Sequence, residues 1–539
     1  MNKPNIQEKP CVVPAKQGFS VSYKERFLYS KYNPSKLIID KINSLEILPG
    51  TIFLCNSSIL EYGLIELYQK LPENCLLFLC EFDLELHELM ENTVSNLKKQ
   101  YSLDRLITLT IQELYSLPNI IHKTNYTFEC GINFSSLGLY KRFIRIDFSA
   151  GVFFNEKLFL ELETACVNSI KTFWSNRVTL VKFGRKYSYN FLRNLKKIIS
   201  TIPIESFFNT IEKPIIVFGA GQSLENDIAH IQANRKIFFI LCADTALQPL
   251  IKHKITPDAV FLEEAQNIIK TAFLGTKNKD FHLFAGLSSI PELSDYIDIA
   301  KISYFTSLFT QANFIENLRN QNLLPFENLP FGSVGITTMY YATKFRKDDS
   351  VPIFYYGLDF SYSAGHTHAK NTIAHIQRLS KSNRINQVAN YTAAFSTNSL
   401  KLSNDNSIFS TPILMNYKAL FEHLFSTQNN IFKNQITKLN EINFTSQKND
   451  GFVSVKENIK NNNIKEYFEN EKNKLQKIKN ILTGKENIQE ELLENTLTTL
   501  ITSCDYLYLH FPDGWMFSYT QSFLNRVRSE IDFFLKLFE

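Results

Sequence analysis

Six short apolar runs, separated by stretches long enough for crossover connections, follow one another in the chain from Pro214 onward. Helical patterns lie between most of these runs, which are IIVFGA, KIFFILCAD, AVFLEE, FHLFAGL, KISYF and PIFYYGLDF. Strands spaced in this way form a parallel sheet with helices on its faces. In such a doubly wound sheet, ligands bind beyond the carboxyl ends of the strands. The sequence therefore predicts an α/β domain whose functional residues follow its strands.

The regions on either side of this segment have different patterns. A strand-turn-helix-strand unit at about 50–81 and further strand-like runs before a long amphipathic stretch predict an N-terminal α/β domain over 1–205. Its turn, Asn56-Ser57-Ser58, lacks glycine, which favours a scaffold or acceptor-docking role over a second nucleotide site. Helical periodicity from about residue 420 predicts a C-terminal helical domain over 421–539. The remaining residues, 206–420, form the predicted Rossmann-like central domain.

Composition excludes several classes of protein. The formal charge of +5 is spread over 539 residues without a Lys/Arg stripe interleaved with aromatics, which argues against nucleic-acid binding. Eight cysteines without a CxxC pair indicate buried thiols in a reducing compartment. The sequence begins without an apolar secretory signal and contains no run of about 18 apolar residues. We therefore expect a cytoplasmic protein without stable membrane insertion.

The first candidate site is the turn Gly219-Ala220-Gly221-Gln222-Ser223, which follows the first central strand and precedes a predicted helix over 224–231. A dinucleotide fingerprint requires a third glycine at the sixth position, where Leu224 stands, so NAD is disfavoured. Backbone N–H groups in such a turn can bind an anion. The alternative is a tight turn without a ligand.

Two further strand or helix ends carry small polar residues. Asp244 ends the second central strand, where an acidic group commonly reaches a ribose hydroxyl. Asp244 could equally cap the helix that follows it, and the two roles are compatible. The run Phe331–Thr338 begins another helix, with a hydroxyl at Ser333 and bare backbone at Gly335.

A polar segment follows the strand that ends at Gly357. Tyr362, His366 and His368 offer donors that suit an anionic leaving group. The spacing His366-x-His368 could also indicate a metal, but no nearby Cys or acidic residue completes a tetrahedral set, so we predict none. His375 could accept a proton, although a lone histidine is more often structural.

These motifs together resemble the motility-associated factor (Maf) family over about 212–380. The runs that carry the resemblance are GAGQSL, CADTALQPLIKHKITPDAVFLEE, GSVGITTMYYA and YYGLDFSYSAGHTHAK. Maf proteins are flagellin glycosyltransferases that attach nonulosonic acids of the pseudaminic or legionaminic type. The central segment is also similar to bacterial sialyltransferases that use CMP-activated sugars. A smaller related family, the archaeal pterin pyrophosphokinases, shares the GxGxSL and Ala-Asp-Thr-Ala runs but lacks the large flanking regions.

The resemblance implies a CMP-activated nonulosonic acid as donor substrate, flagellin Ser/Thr as acceptor, and no metal or other cofactor. Tyr362 and His368 would stabilise the departing phosphate, and His366 or His375 would be the base. No histidine occurs in 385–400, where the sialyltransferases carry theirs, so a non-catalytic flagellin-binding assembly factor remains an alternative. The implied donor-binding residues are Gly219, Gly221, Gln222, Ser223, Asp244, Thr245, Ser333, Gly335, Gly357 and Asp359.

Overall fold

The computed structural model describes residues 9–72, 74–121, 126–134, 140–295, 297–389, 391–402, 407–440, 461–486 and 488–538. Contacts divide the chain into two compact units, Met1–Lys182 with Phe511–Met516, and Phe183–His510 with Phe517–Glu539. The three-domain division at 205 and 420 stays a prediction. Among the described residues, no helix has the length and apolar character needed to cross a membrane.

The first unit contains the predicted N-terminal α/β fold. Its main sheet is parallel in the order β6-β5-β4-β9, and β4 and β5 are buried along their whole length. The long helix α5 continues from this unit into the second. The elements are β1 (Cys11–Pro14), β2 (Phe19–Tyr23), β3 (Arg26–Phe27), α1 (Lys36–Ser44), β4 (Thr51–Asn56), α2 (Leu64–Gln69), β5 (Leu76–Cys80), α3 (Leu84–Gln100), β6 (Leu106–Thr108), α4 (Ile111–Ile120), β7 (Tyr126–Thr127), β8 (Asn133–Phe134), β9 (Arg142–Asp147) and α5 (Glu156–Lys197).

The second unit contains the predicted central sheet and the predicted C-terminal helices. Its elements are β10 (Ile215–Phe218), α6 (Ile228–Ala233), β11 (Phe239–Ala243), α7 (Leu247–Lys252), β12 (Ala259–Leu262), β13 (His282–Gly286), β14 (Ile302–Ser307), α8 (Asn313–Asn320), β15 (Glu327–Asn328), α9 (Val334–Phe345), β16 (Ile353–Tyr356), β17 (Tyr362–Ser363), α10 (Ile373–Ser380), α11 (Tyr391–Ala394), β18 (Leu400–Lys401), β19 (Ile408–Ser410), α12 (Pro412–Phe425), β20 (Ile431–Lys433), α13 (Asn461–Leu482), α14 (Glu490–Thr502) and α15 (Gln521–Phe538).

The central sheet is parallel throughout, in the order β15-β14-β13-β12-β11-β10-β16-β20. The chain builds the sheet from β10 outward to β15 and then returns to place β16 on the other side of β10. The topological switch point therefore lies between β10 and β16. At such a point, the loops that follow the two strands leave in opposite directions. The carboxyl ends of these strands are therefore the expected ligand site. The sheet takes its last strand from beyond residue 420.

An aromatic layer fixes α9 against the sheet. Tyr341 stacks on Phe261 with ring centroids 5.3 Å apart, and Phe345 packs 4.9 Å from Phe284. These rings are fully buried, so the burial of aromatic surface holds the helix in one position. The amino end of α9 is thereby directed to the carboxyl edge of the sheet, where Thr337 hydrogen-bonds to Glu263 after β12.

Candidate functional site at the carboxyl edge of the central sheet

The loops that follow β10 and β16 lie in direct contact. The Gly219 amide donates to the Tyr356 carbonyl, and the Gly221 amide donates to the Gly357 carbonyl, both at 2.8 Å. A Cβ on Gly219 would clash with the Gly357 carbonyl oxygen, and Gly357 has a φ of +68°, a conformation that favours glycine. Contact between the two loops thus accounts for both glycines. The alternative of a tight turn against protein explains them without a ligand.

Leu358 fills the space that the glycines leave. A Cβ on either Gly219 or Gly335 would lie 2.5 Å from the Cδ2 atom of Leu358. The leucine is buried and belongs to the same hydrophobic core as α9. It therefore joins the loops after β10 and β16 to the first turn of α9. Leu358 was not predicted to have a role, because in the sequence it is a single apolar residue at the start of a polar segment.

Ser223 and Asp359 close the same junction with hydrogen bonds. Asp359 accepts from the Ser223 amide at 2.9 Å and from its hydroxyl at 2.5 Å, while the Ser223 hydroxyl accepts from the Gly357 amide at 2.8 Å. These groups satisfy one another within the chain. The predicted helix start at 224 is wrong, because a 3-10 turn follows the glycines and α6 begins only at Ile228.

Asp244, which directly follows β11, has one carboxylate oxygen with no hydrogen-bond partner among the described residues. Its Oδ1 accepts from the Thr245 amide at 2.5 Å and from the Thr245 hydroxyl at 2.8 Å. Its Oδ2 is buried and has no hydrogen-bond partner within the described part of the chain. Because the residue is only 2% exposed, bulk water does not replace the missing partner. One oxygen thus bonds to the adjacent Thr245, while the helix that follows, α7, has Ala246 at its N-cap and no side-chain capping hydrogen bond. The other oxygen is left for a donor on a ligand.

Two further carboxylates, at the end of the neighbouring strand, shape the electrostatics of Asp244. Burial raises the pKa of Asp244 to about 7, with smaller contributions from the charges of Glu264 and Glu263 and against the hydrogen bonds that it accepts from Thr245. Burial also raises the pKa of Glu263, against the hydrogen bond that it accepts from Thr337 at 2.7 Å. The sequence analysis quoted this acidic pair in AVFLEE without assigning it a role. The strand ends therefore carry a cluster of carboxyl groups in which burial raises the pKa of Asp244 and of Glu263.

The amino end of α9 offers backbone donors near this cluster. Ser333 precedes the helix in an extended conformation, and its side chain makes no capping hydrogen bond. The first N–H groups of a helix without a cap are free to bind an anion or water. Gly335 lies in this first turn and packs against Leu358, so the turn is held at the switch point.

The candidate leaving-group and base residues have different surroundings. The Tyr362 hydroxyl donates to the Ala393 carbonyl at 2.9 Å, and its ring is buried against Phe409. His366 and His368 are exposed, and His375 accepts from the Asn371 amide through Nδ1 at 3.2 Å. Tyr362 is therefore part of a small core, and its hydroxyl is already used. Gln222 joins this segment to the glycine turn by donating to the Ser363 hydroxyl at 2.7 Å.

No hydrogen bond or ion pair of the described residues joins the three histidines to Asp244 or to the glycine loops. Within the same residues, no group of three or more His, Cys, Asp or Glu side chains is placed to hold a metal ion. The structure thus brings together the glycines, Ser223 and Asp359 at the switch point, with Asp244 and Thr245 one strand away.

Gly219→Ala is expected to lower the free energy of unfolding by about 1–3 kcal/mol, because the added methyl overpacks the junction. Gly286→Ala is the matched control, since its Cβ would meet its nearest atom at an ordinary 3.5 Å. Urea unfolding of both variants measures the difference. Equal stability of the two variants would show that the loops do not depend on this contact.

Asp244→Asn should change how stability depends on pH. The folded-state pKa of about 7 lies above the ordinary value, so the folded protein binds this proton more tightly than the unfolded chain does. The group's contribution to stability therefore falls as pH rises from about 4 to about 7. At pH 8 we expect the free energy of unfolding of the variant, measured in urea, to exceed that of the wild type by about 2–4 kcal/mol. At pH 4 we expect little difference between the two.

The exposed Asp280→Asn serves as the control for this profile, because Asp280 lies at the opposite end of the strands. A constant difference between wild type and Asp244→Asn across this pH range would contradict the assigned protonation of Asp244.

Three comparisons describe what the chain is similar to. Residues 189–365 match the family described as 6-hydroxymethylpterin diphosphokinase MptE-like. An uncharacterized protein of Treponema pallidum (strain Nichols) is 29% identical over 576 residues, which cover 98% of this chain and 95% of that protein. The solved structure of a MAf glycosyltransferase from Magnetospirillum magneticum AMB-1 aligns with a TM-score of 0.45 and 12% identity, over 100% of this chain and 92% of that one.

The family match contains GAGQSL, the Asp244 run and the Ser333 run in full, and residues 355–365 of the last run, so that His366 and His368 lie outside it. These are the motifs that carry the resemblance described from the sequence. Residues 189–365 are therefore similar to the MptE-like family.

Proposed function

We propose that this protein is a glycosyltransferase that moves a nonulosonic acid of the pseudaminic or legionaminic type from a CMP-activated donor to Ser/Thr of flagellin. It would act in the cytoplasm and serve flagellar assembly and motility. The observation that carries the proposal is the buried, unpaired Oδ2 of Asp244 beside the switch point. An unsatisfied buried acceptor costs about 1–3 kcal/mol, which a ligand donor would recover. Ribose hydroxyls and the cytosine amino group are donors of this kind.

The reaction needs groups that stabilise charge and accept a proton. The glycosidic C–O bond breaks, its electrons leave with the CMP phosphate, and the acceptor hydroxyl oxygen bonds to the sugar. His368 and the first N–H groups of α9 would stabilise the phosphate, because the Tyr362 hydroxyl already donates to Ala393. His366 or His375 would take the acceptor's proton.

Two alternatives each rest on one observation. The family match over 189–365 favours transfer of a diphosphate to a pterin. The internal contacts of Gly219, Gly221 and Ser223 favour a flagellin-binding assembly factor that has lost its donor site. Ligand binding separates the three functions.

CMP at about 100 times its dissociation constant should stabilise the wild type by roughly 2.7 kcal/mol in thermal unfolding. Asp244→Asn should lose most of that shift, because its amide no longer accepts at the same position, whereas Asp280→Asn should keep it. A shift with ATP or a pterin but not with CMP would favour the diphosphokinase. No shift with any of them, together with retained flagellin binding, would favour the assembly factor.

Intact mass of flagellin incubated with enzyme and CMP-nonulosonate tests the transfer itself. The wild type should add the mass of one or more nonulosonic acids. Replacing the base, His366 or His375, with Ala should slow transfer about 10²–10⁴-fold, and His368→Ala about 10²–10³-fold. The exposed His230→Ala is the control and should be unchanged. Full activity in all three histidine variants would contradict the assignment.

A further inference from the structure

The described residues of 361–411, which are 361–389, 391–402 and 407–411 and are here called the cap, lie over part of the carboxyl edge. The cap contains the small antiparallel sheet β17-β19-β18 together with α10 and α11. Its Ala369 amide donates to the Ala220 carbonyl at 2.9 Å, and α10 contacts the 3-10 segment Asn267–Phe273 that follows β12. The cap therefore contacts segments that follow β10 and β12. The strand between them, β11, is followed directly by Asp244.

The cap carries a net positive charge. The sequence 361–411 contains five cations and a single acid, Asp405, and none of the five cations forms an ion pair with another described residue. The formal charge of the whole chain is only +5, so this one segment is unusually basic. Such a patch attracts acidic partners and steers their approach. The cations are Lys370, Arg378, Lys381, Arg384 and Lys401.

The cap also exposes apolar side chains. Helix α10 buries none of its residues, and Ile376 and Leu379 stand exposed one turn apart on it. Farther along, Ile385 is 91% exposed and Phe395 is 71% exposed. Apolar groups concentrated in one segment beside a functional edge mark an interaction surface.

A cavity of about 380 Å³ lies among these groups, lined by Ala374, Gln377, Arg378, Lys381, Asn386 and Gln387. Three of its side chains are amides, which can donate to and accept from a polypeptide backbone. The two cations at the same cavity select for carboxylates. This combination fits a peptide segment better than a lipid head group or a nucleic-acid backbone, since neither of those presents backbone amides.

We propose that the cap binds an acidic polypeptide segment that also carries apolar side chains. This deepens the proposed function, on which it rests for one point: the segment belongs to the protein that accepts the sugar. Apolar side chains would cover the exposed face of α10, and carboxylates would pair with Arg378, Lys381 and Arg384. The segment would then lie beside the edge that carries Asp244.

Fluorescence anisotropy tests binding on the full chain without any donor sugar. The probe is a labelled peptide of Glu, Leu and Ser, with two matched peptides in which Gln replaces Glu or Ser replaces Leu. We expect both replacements to weaken binding. The triple variant Arg378→Gln, Lys381→Gln, Arg384→Gln should weaken binding of the first peptide roughly 3- to 100-fold, as three exposed ion pairs are lost, and should flatten its salt dependence.

The control triple variant Lys465→Gln, Lys477→Gln, Lys485→Gln removes the same charge from α13 and the turn that follows it, and should bind like the wild type. Ile376→Ser with Leu379→Ser should also weaken binding, with thermal unfolding confirming that the variant folds. Equal binding of the Glu and Gln peptides would overturn the proposal. So would stronger binding to vesicles containing phosphatidylserine or to single-stranded RNA.

Peptide binding stays measurable even if CMP-dependent transfer fails, so the two proposals are separable. If transfer to flagellin occurs and the cap triple variant leaves the KM for flagellin unchanged, the cap proposal is wrong and the transferase proposal stands. If the peptide binds as expected and no transfer occurs, the binding surface stands and the sugar-transfer role is wrong.

Discussion

The close backbone contact between the loops after β10 and β16 is the constraint on which the carboxyl edge depends. Because Gly219 and Gly357 meet without side chains, Leu358 can reach past them and contact the first turn of α9. A side chain at either glycine would push the loops apart and remove the support of that helix start. The contact between the Gly219 and Gly357 backbones leaves no space for a methyl group. It therefore determines the positions of Ser223, Asp359 and Ser333.

This junction separates two kinds of surface at the same edge. On the β10 and β16 side, polar groups are satisfied within the chain, so they shape the site without needing a ligand. On the β11 and β12 side, Asp244 is buried and Glu263 is half-buried, and burial raises the pKa of both carboxyl groups. One oxygen of Asp244 has no hydrogen-bond partner among the described residues. Partial protonation of Asp244 near neutral pH reduces the repulsion that its carboxyl group would exert on a nucleotide phosphate nearby. An acidic edge is thus compatible with an anionic ligand near neutral pH.

The sequence predicts the strands and the parallel sheet well, because short buried runs separated by crossovers have few other solutions. It cannot predict that β16 returns to lie beside β10, since spacing alone does not give strand order. The glycines of GAGQSL correctly indicated a close backbone approach. Their partner lies more than 130 residues away in the chain, as the bond between Ser223 and Asp359 shows. The unpaired oxygen of Asp244 follows from burial, which no local pattern reports.

The run YYGLDFSYSAGHTHAK illustrates how one motif can divide between structure and chemistry. Its first half supplies Gly357, Leu358 and Asp359 to the junction, and Tyr362 to the small core of the cap. Its second half leaves His366 and His368 exposed, while the neighbouring Ser363 hydroxyl and Ala369 amide bond to the glycine loop. Residues of the first half cannot be replaced without disturbing the fold, so loss of activity there says little about chemistry. Any chemical role of this motif must come from its exposed half, which the junction holds beside the loop after β10.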